Sequence, residues 1–353
     1  MSGGGHVLVT GGAGFIGSNL VERLASGGEK VLIYDSLARA GVEDNLKRLT
    51  ERYPDRVSLV VADVRDHQAL GEAAAGASAV FHLAAQVAVT TSMVAPEEDF
   101  DVNCHATVKL LEALRRSGRG TPLVFASTNK VYGDLTGVEL AMHEASWQPV
   151  DAGLAAAGVN ESQPLAFCTP YGCSKGAADQ YVLDYAHHLG VPACVFRMSC
   201  IYGPHQMGTE EQGWVAHFVR SALRDEEITL FGDGRQVRDV MHVRDVAAAY
   251  ISAMRAMPRV AGEAFNLGGG SANAVSLIQI LHEIELLTGR AVRLRHGEWR
   301  PGDQRWFVSD ASKARLHLQL DEPMPWREGL ADLAAWMGWD GNASAGNRMR
   351  IPA

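Results

Sequence analysis

The opening stretch of the chain constrains its fold most. His6-Val7-Leu8-Val9-Thr10 reads as a buried strand, runs into Gly11-Gly12-Ala13-Gly14-Phe15-Ile16-Gly17, and continues as an apolar-periodic helix through Leu24. Gly11 permits the tight turn, Gly14 lets backbone approach a pyrophosphate, and Gly17 allows close packing of helix on strand, with the helix N-terminus facing the phosphate charge. The next strand, Lys30-Val31-Leu32-Ile33-Tyr34-Asp35, ends in an acid about twenty residues on, where a carboxylate can bind both ribose hydroxyls. A turn built for packing alone has no use for Asp35. Together they predict a dinucleotide site.

Strands at 57–62 and 79–84 follow, separated by a short helix with an acidic start at Asp66. Strands alternating with helices mean an α/β fold with a doubly wound parallel (Rossmann) sheet. Asp63 closes the third strand, where it borders an adenine or serves as a plain turn residue. A helix over 96–116 leads to a strand at 122–126, and the hydroxyls of Ser127-Thr128 just beyond it sit at the ligand edge. Residues 134–169 are polar with little periodicity, a long excursion over the site. After a strand at 193–197, helices near 213–223, 243–254, 276–287 and 325–336 surround short strands, which predicts a smaller α/β substrate-binding lobe. The expected division is 1–197 plus about 236–262 for the dinucleotide unit, and about 198–235 with 263–340 for the lobe. The tail after Trp339 is expected to be loose.

Tyr171-Gly172-Cys173-Ser174-Lys175 puts a tyrosine and a lysine on one helix face, able to act on the same atom. An ammonium one turn away is expected to lower the phenol pKa toward that of a useful base. Alone, this spacing also describes many surface helices; beside a dinucleotide turn it reads as a catalytic pair. Arg235, Arg238, Arg300 and Arg305 lie in loop-like settings beside glycines or aspartates, where a guanidinium can hold a diphosphate or simply be solvated.

The formal net charge of -9 leaves no general basic field, so neither nucleic acid nor an acidic membrane is an expected partner. The most apolar stretch, 73–89, is broken by Gly76, His82 and Gln86 and is not a membrane span. The five cysteines have neither disulfide-framework nor zinc-site spacing, which suits a reducing cytoplasm, and the histidines form no metal motif.

With Thr10 to Gly17, Ser127-Thr128, Tyr171 to Lys175, Tyr202-Gly203-Pro204 and Val237-Arg238-Asp239-Val240-Met241-His242-Val243 in order, nearly the whole chain resembles the extended short-chain dehydrogenases/reductases acting on nucleotide sugars. Within them it is most similar to the group of CDP-tyvelose (CDP-paratose) 2-epimerases, through Ser127 to Asp134, Pro170 to Tyr185, Gln212-Gly213-Trp214-Val215 and Asp303-Gln304-Arg305. The resemblance implies that Thr128 is the catalytic hydroxyl, Tyr171 the general base and Lys175 its partner. It implies NAD as cofactor, contacted by Gly11, Gly14, Phe15, Ile16, Gly17, Asp35, Asp63, Val64, Ala84 and Lys175. A nucleotide-diphosphate sugar would meet Asn129, Lys130, Cys200, Gln212, Trp214, Arg235, Arg238, Arg300 and Arg305. A homodimer is also implied, packed through the Lys175 helix and the helix before Arg116.

Two features depart from the family pattern. Cys200 stands where many relatives carry Asn, and a thiol cannot reproduce an amide's donor and acceptor. Asn129 and Lys130 stand where dehydrating or decarboxylating relatives carry an acid at one or both positions. The expected activity is therefore redox-neutral inversion of one sugar stereocentre, at C2 by the resemblance. Inversion at C4 is the alternative, with dehydration or a non-catalytic nucleotide-binding role further off.

Overall fold

The computed structural model describes residues 5–300 and 302–339. Its centre is a seven-stranded parallel sheet built from His6–Thr10, Val31–Asp35, Val57–Val61, Ala77–His82, Leu123–Thr128, Ala193–Met198 and Ala264–Leu267. Across the sheet they run third, second, first, fourth, fifth, sixth, seventh, the doubly wound Rossmann order with one strand added. The order reverses between His6–Thr10 and Ala77–His82. At such a reversal the flanking connections diverge to opposite faces, which opens a crevice at the carboxyl ends of the strands.

Strand residues alternate between faces, so Val7 and Val9 enter one core with Leu20, Val21, Val246 and Tyr250, while Leu8 enters the other with Leu70, Leu110 and Val182. Helices Phe15–Ser26 and Val243–Val260 thus cover one face, and His67–Ala75, Ala106–Ser117 and Thr169–His188 the other. Both faces are apolar, which is why the strands read as continuous hydrophobic runs.

A four-stranded sheet forms the centre of the lobe. Val237–His242 pairs antiparallel with Ala274–Ser276 and parallel with Trp306–Phe307 and Cys200–Tyr202. Its alternation sends Val240 into the lobe's own core and Met241 back toward the main sheet.

Several expectations are corrected. Ala264–Leu267 pairs with Ala193–Met198 and belongs to the large sheet, not to the lobe expected over 263–340; Phe265 and Leu267 supply apolar side chains to the main core. Conversely, Val237–His242 lies in the small sheet, not in the dinucleotide unit. The helix expected over 96–116 is Pro96–Phe100, a π-helical Asp101–His105 and Ala106–Ser117, so one register change re-aims Asn103. The excursion over 134–169 contains a hairpin, Leu140–Met142 with Trp147–Pro149, and a short helix, Ala152–Ala157. Helix Val42–Arg52 has no counterpart in the sequence reading, since its buried residues are only Val42, Asn45 and Leu49. The tail after Trp339 lies outside the described residues.

Candidate active site

At the crevice, Gly11 adopts φ +69°, and a Cβ there would stand 2.8 Å from the Ala84 backbone nitrogen. The Thr10 hydroxyl oxygen accepts from the N–H groups of Leu83 and Ala84 at 3.2 Å each, tying the two strands at the reversal. A Cβ at Gly17 would run into the Gly11 carbonyl oxygen, so only glycine lets the helix sit this close to the turn. Helix Phe15–Ser26 starts after Gly14 with no side-chain cap, leaving its first-turn N–H groups for an anion. Asp35 accepts from the Ala13 N–H at 3.0 Å and the Leu37 N–H at 2.9 Å, which fixes its carboxylate at the end of Val31–Asp35. This uncapped cradle with a fixed acid beyond it fits a dinucleotide.

Asp63 turns its carboxylate to Arg65, at 2.9 and 2.7 Å, and that pairing holds it below the usual carboxylate range. Its carbonyl accepts from the Tyr34 hydroxyl at 2.8 Å, and Val64 beside it is buried. Arg39 is held below its ordinary pKa by burial, against the pull of Asp35, and donates to the Gln212 amide oxygen.

Tyr171 and Lys175 lie in the first turns of Thr169–His188, which Pro170 opens. Both are buried, at 9% and 2% exposure. The Tyr171 N–H donates to the Ser92 hydroxyl at 3.2 Å, and Ser174, between the pair, donates to Asp99. Thr128 ends the strand Leu123–Thr128 against the phenol; its hydroxyl oxygen accepts from the Lys130 N–H at 3.2 Å. Burial pushes the Tyr171 pKa up to about 12, although the Thr128 hydroxyl favours the ionised form. Burial likewise brings Lys175 down to about 7, against the pull of Asp179, Asp99 and Cys104. Its Nζ sits 4.2 Å from the Phe125 ring centroid. The expected lowering of the phenol pKa by the ammonium is not seen in the protein alone: burial dominates, and the nearby groups that act on the phenol are Thr128 and Asp99 rather than Lys175.

In the lobe, Lys130, Cys200 and Arg238 come together near the Thr128 turn. The Cys200 sulfur accepts from the Trp214 indole N–H at 3.5 Å, and burial raises the thiol pKa. The Lys130 Nζ donates to the Gly302 carbonyl at 2.9 Å, and the Asn129 amide to Gln304 at 3.3 Å. Arg238 donates to Val237 O, the Asp303 carboxylate and Gln304 O, so the protein already uses much of its fork. Arg300 stands 3.8 Å over the Phe231 ring and reaches Glu210 O and Glu211; Arg305 lies between Trp147 and Trp299. Two residues stand apart from this group. Gln212 meets Arg39 on the dinucleotide side, and Arg235 donates to Glu144 O in the hairpin loop. A separate concavity of about 740 Å³ lies behind Val237–His242, lined by Met241, Arg255 and Arg315, and contains none of these groups.

Residues 7–268 match the model of the NAD dependent epimerase/dehydratase family. The chain belongs to that family. It is an NAD-dependent enzyme with a nucleotide-sugar epimerase/dehydratase ancestry, and NAD is its cofactor. It is 37% identical to the CDP-paratose 2-epimerase of Salmonella typhi over 94% of this chain and 98% of that protein. To a dTDP-glucose 4,6-dehydratase of Actinoplanes it is 32% identical, covering 94% and 97% of the two chains. The solved UDP-glucose 4-epimerase of Thermus thermophilus, in complex with NAD, superposes with a TM-score of 0.79 at 31% identity, over 94% of this chain and 99% of that one.

Family membership makes the residues that sequence reasoning left out more informative. Asp99, Asn103 and Ser174 form a buried hydrogen-bonded set under the Tyr171 helix. The only sequence signal for it is polar residues inside an apolar helix, and the π turn that aims Asn103 has no local signature. Gln304, 1% exposed, donates to Gly133 O at 2.5 Å. It stands in a motif that carries the family resemblance but has no role there, because its partners are distant in sequence.

Among the described residues no helix is long and apolar enough to cross a membrane, and no cluster of His, Cys, Asp and Glu could hold a metal ion.

Proposed function

We propose that the enzyme inverts one stereocentre of a nucleotide-diphosphate sugar, at C2 of a CDP-linked sugar, with Thr128, Tyr171 and Lys175 as its catalytic residues. The large unit binds NAD and the lobe binds the nucleotide sugar. NAD, when bound, supplies the capacity to accept a hydride from the sugar carbon and give it back. The chain's own residues handle the proton and the geometry. Tyr171 takes the proton of the reacting hydroxyl and later returns it to the same oxygen, while Thr128 hydrogen-bonds that oxygen. In the protein alone burial raises the Tyr171 pKa to about 12 and brings Lys175 down to about 7, so ionising the phenol would need positive charge beyond that of Lys175. The sugar must present its other face between the two half-reactions. Arg300 and Arg305 retain the diphosphate meanwhile.

The observation that carries this reading is the turn Thr128-Asn129-Lys130. It presents a hydroxyl to the phenol, and its next two side chains are an amide and an amine bonded to the 302–304 segment rather than carboxylates. Relatives that lose water or carbon dioxide carry a carboxylic acid at one or both of those positions, and this chain carries none there. The 37% identity to the CDP-paratose 2-epimerase, against 31% to the solved UDP-glucose 4-epimerase, supports C2 over C4. Incubating the NAD-loaded enzyme with CDP-, UDP- and dTDP-linked sugars and reading products by proton NMR tests it. An epimer formed only from a CDP sugar, with C2 coupling changed, is expected; a 4-keto-6-deoxy product would overturn it.

The enzyme works in the cytoplasm as a homodimer through the outer faces of Thr169–His188 and Ala106–Ser117, where Tyr181 is 47% exposed. A monomer by light scattering at micromolar concentration would remove the dimer.

A further inference from the structure

The segment 302–304 is wedged between the two turns that carry the catalytic side chains. On one side it meets the turn after Thr128: Lys130 Nζ donates to Gly302 O at 2.9 Å, Asn129 to the Gln304 amide oxygen at 3.3 Å, and Gln304 to Gly133 O at 2.5 Å. On the other side Gly302, at φ +69°, lies against Thr169, two residues before Tyr171; a Cβ there would come within 2.9 Å of the Thr169 methyl. Arg238 closes the third side through Asp303 and Gln304 O, both at 2.6 Å. Arg300 and Arg305, the guanidiniums assigned to the diphosphate, flank this pinned segment in the chain.

Burying an amine is costly, and burial holds Lys130 below the ordinary lysine pKa. Such a group persists where its hydrogen bonds fix something. Among the described residues the hydrogen-bond partner of its Nζ is the Gly302 carbonyl. We infer that Lys130, acting with Asn129 and Gln304, is a positioning residue that fastens the diphosphate-holding loop to the catalytic turn, so that the grip on the diphosphate sets where the sugar stands relative to Thr128 and Tyr171. The inference rests on the assignment of Arg300 and Arg305 under the proposed function. It gives Asn129-Lys130 a role different from that of an acid pair at the same place: these residues act on the loop rather than on the sugar.

The test uses the full chain saturated with NAD. Lys130→Met should speed amide exchange in the peptide spanning 298–307 by about tenfold or more and weaken CDP binding by calorimetry about tenfold, the scale of one lost hydrogen bond to a charged group. NAD affinity and the melting temperature should stay near wild type. Exchange of 298–307 at the wild-type rate would overturn the inference, whatever happens to CDP. Combining Lys130→Met with Gln304→Leu should weaken CDP binding no more than the worse single change, since both act through one segment. Additive losses would show Lys130 acting on the ligand by itself and would also overturn it. Should Lys130→Met not fold, Asn129→Leu is read by the same exchange measurement with the same two outcomes. None of these readouts uses turnover, so a holoenzyme that binds no CDP would strike the proposed function while the exchange result still judges the latch.

Discussion

Tyr171 shows how far one side chain can be read from its neighbours and where that reading stops. Its spacing from Lys175 and its place in a helix opened by Pro170 are visible in the sequence; the balance of its charge is not, because it depends on its burial, Thr128 and Asp99. Tyr171→Phe removes one oxygen and keeps the ring's packing, so turnover should fall by about 10³ or more with NAD affinity retained. Thr128→Val should cost less, about 10- to 100-fold, since it deletes a hydrogen-bond donor and leaves the base. Steady-state rates alongside NAD titration check both, and a larger loss at Thr128 than at Tyr171 would reverse their roles. Asp35 and the glycines are legible because a strand, glycine turn and helix followed by a strand ending in an acid form one short pattern in the sequence. Lys130, Asn129 and Arg238 are visible as residues, but their engagement by 302–304 is not, because no local pattern announces a partner so far along the chain.

At the scale of elements, strands and long helices follow from apolar periodicity, whereas the boundary between the two units does not. Ala264–Leu267 is a short strand, apolar except for Asn266, that suits either sheet, and only its pairing with Ala193–Met198 decides. The same region holds a buried ion pair that joins three elements. Arg197 on Ala193–Met198 meets Asp179 on the Tyr171 helix at 2.9 and 3.0 Å, and Ser127 donates to Asp179 at 2.8 Å. Arg197→Met would strand a carboxylate at 0% exposure and should cost about 3–5 kcal/mol in urea unfolding. A loss below about 1 kcal/mol would mean that Asp179 finds another partner. His82, between the Thr10 and Thr107 hydroxyls, ties the first and fourth strands to Ala106–Ser117, and burial drives its pKa down to about 3. In an unfolded chain an imidazole titrates near its ordinary value of about 6.5. Above that pH neither state gains a proton, and below it only the unfolded chain does. The contribution of His82 to stability is therefore complete above about pH 6.5 and is lost as pH falls toward about 3, by up to about 1.4 kcal/mol per unit. His82→Gln should flatten the pH dependence of the unfolding free energy between about 6.5 and 4. An unchanged slope would assign it to other groups.

At the scale of the whole molecule, the reversal of strand order opens the crevice for NAD, and the small sheet carries Arg238 to the same rim. Tyr171, Thr128 and the segment 302–304 come together there. Such an arrangement suits a reaction that removes a hydride and a proton, lets the sugar turn, and returns both, with no net change in the cofactor. C2 next to a carbonyl could instead lose its hydrogen to water through an enolate, and the two routes differ in the fate of that hydrogen. The decisive measurement is therefore proton and deuterium NMR of a CDP sugar deuterated at C2, turned over by the NAD-loaded enzyme in ordinary water and, unlabelled, in heavy water. Hydride return predicts that the label stays on C2 of the epimer and that no solvent deuterium enters the carbon; loss of the label to water, or solvent deuterium at C2, would contradict it.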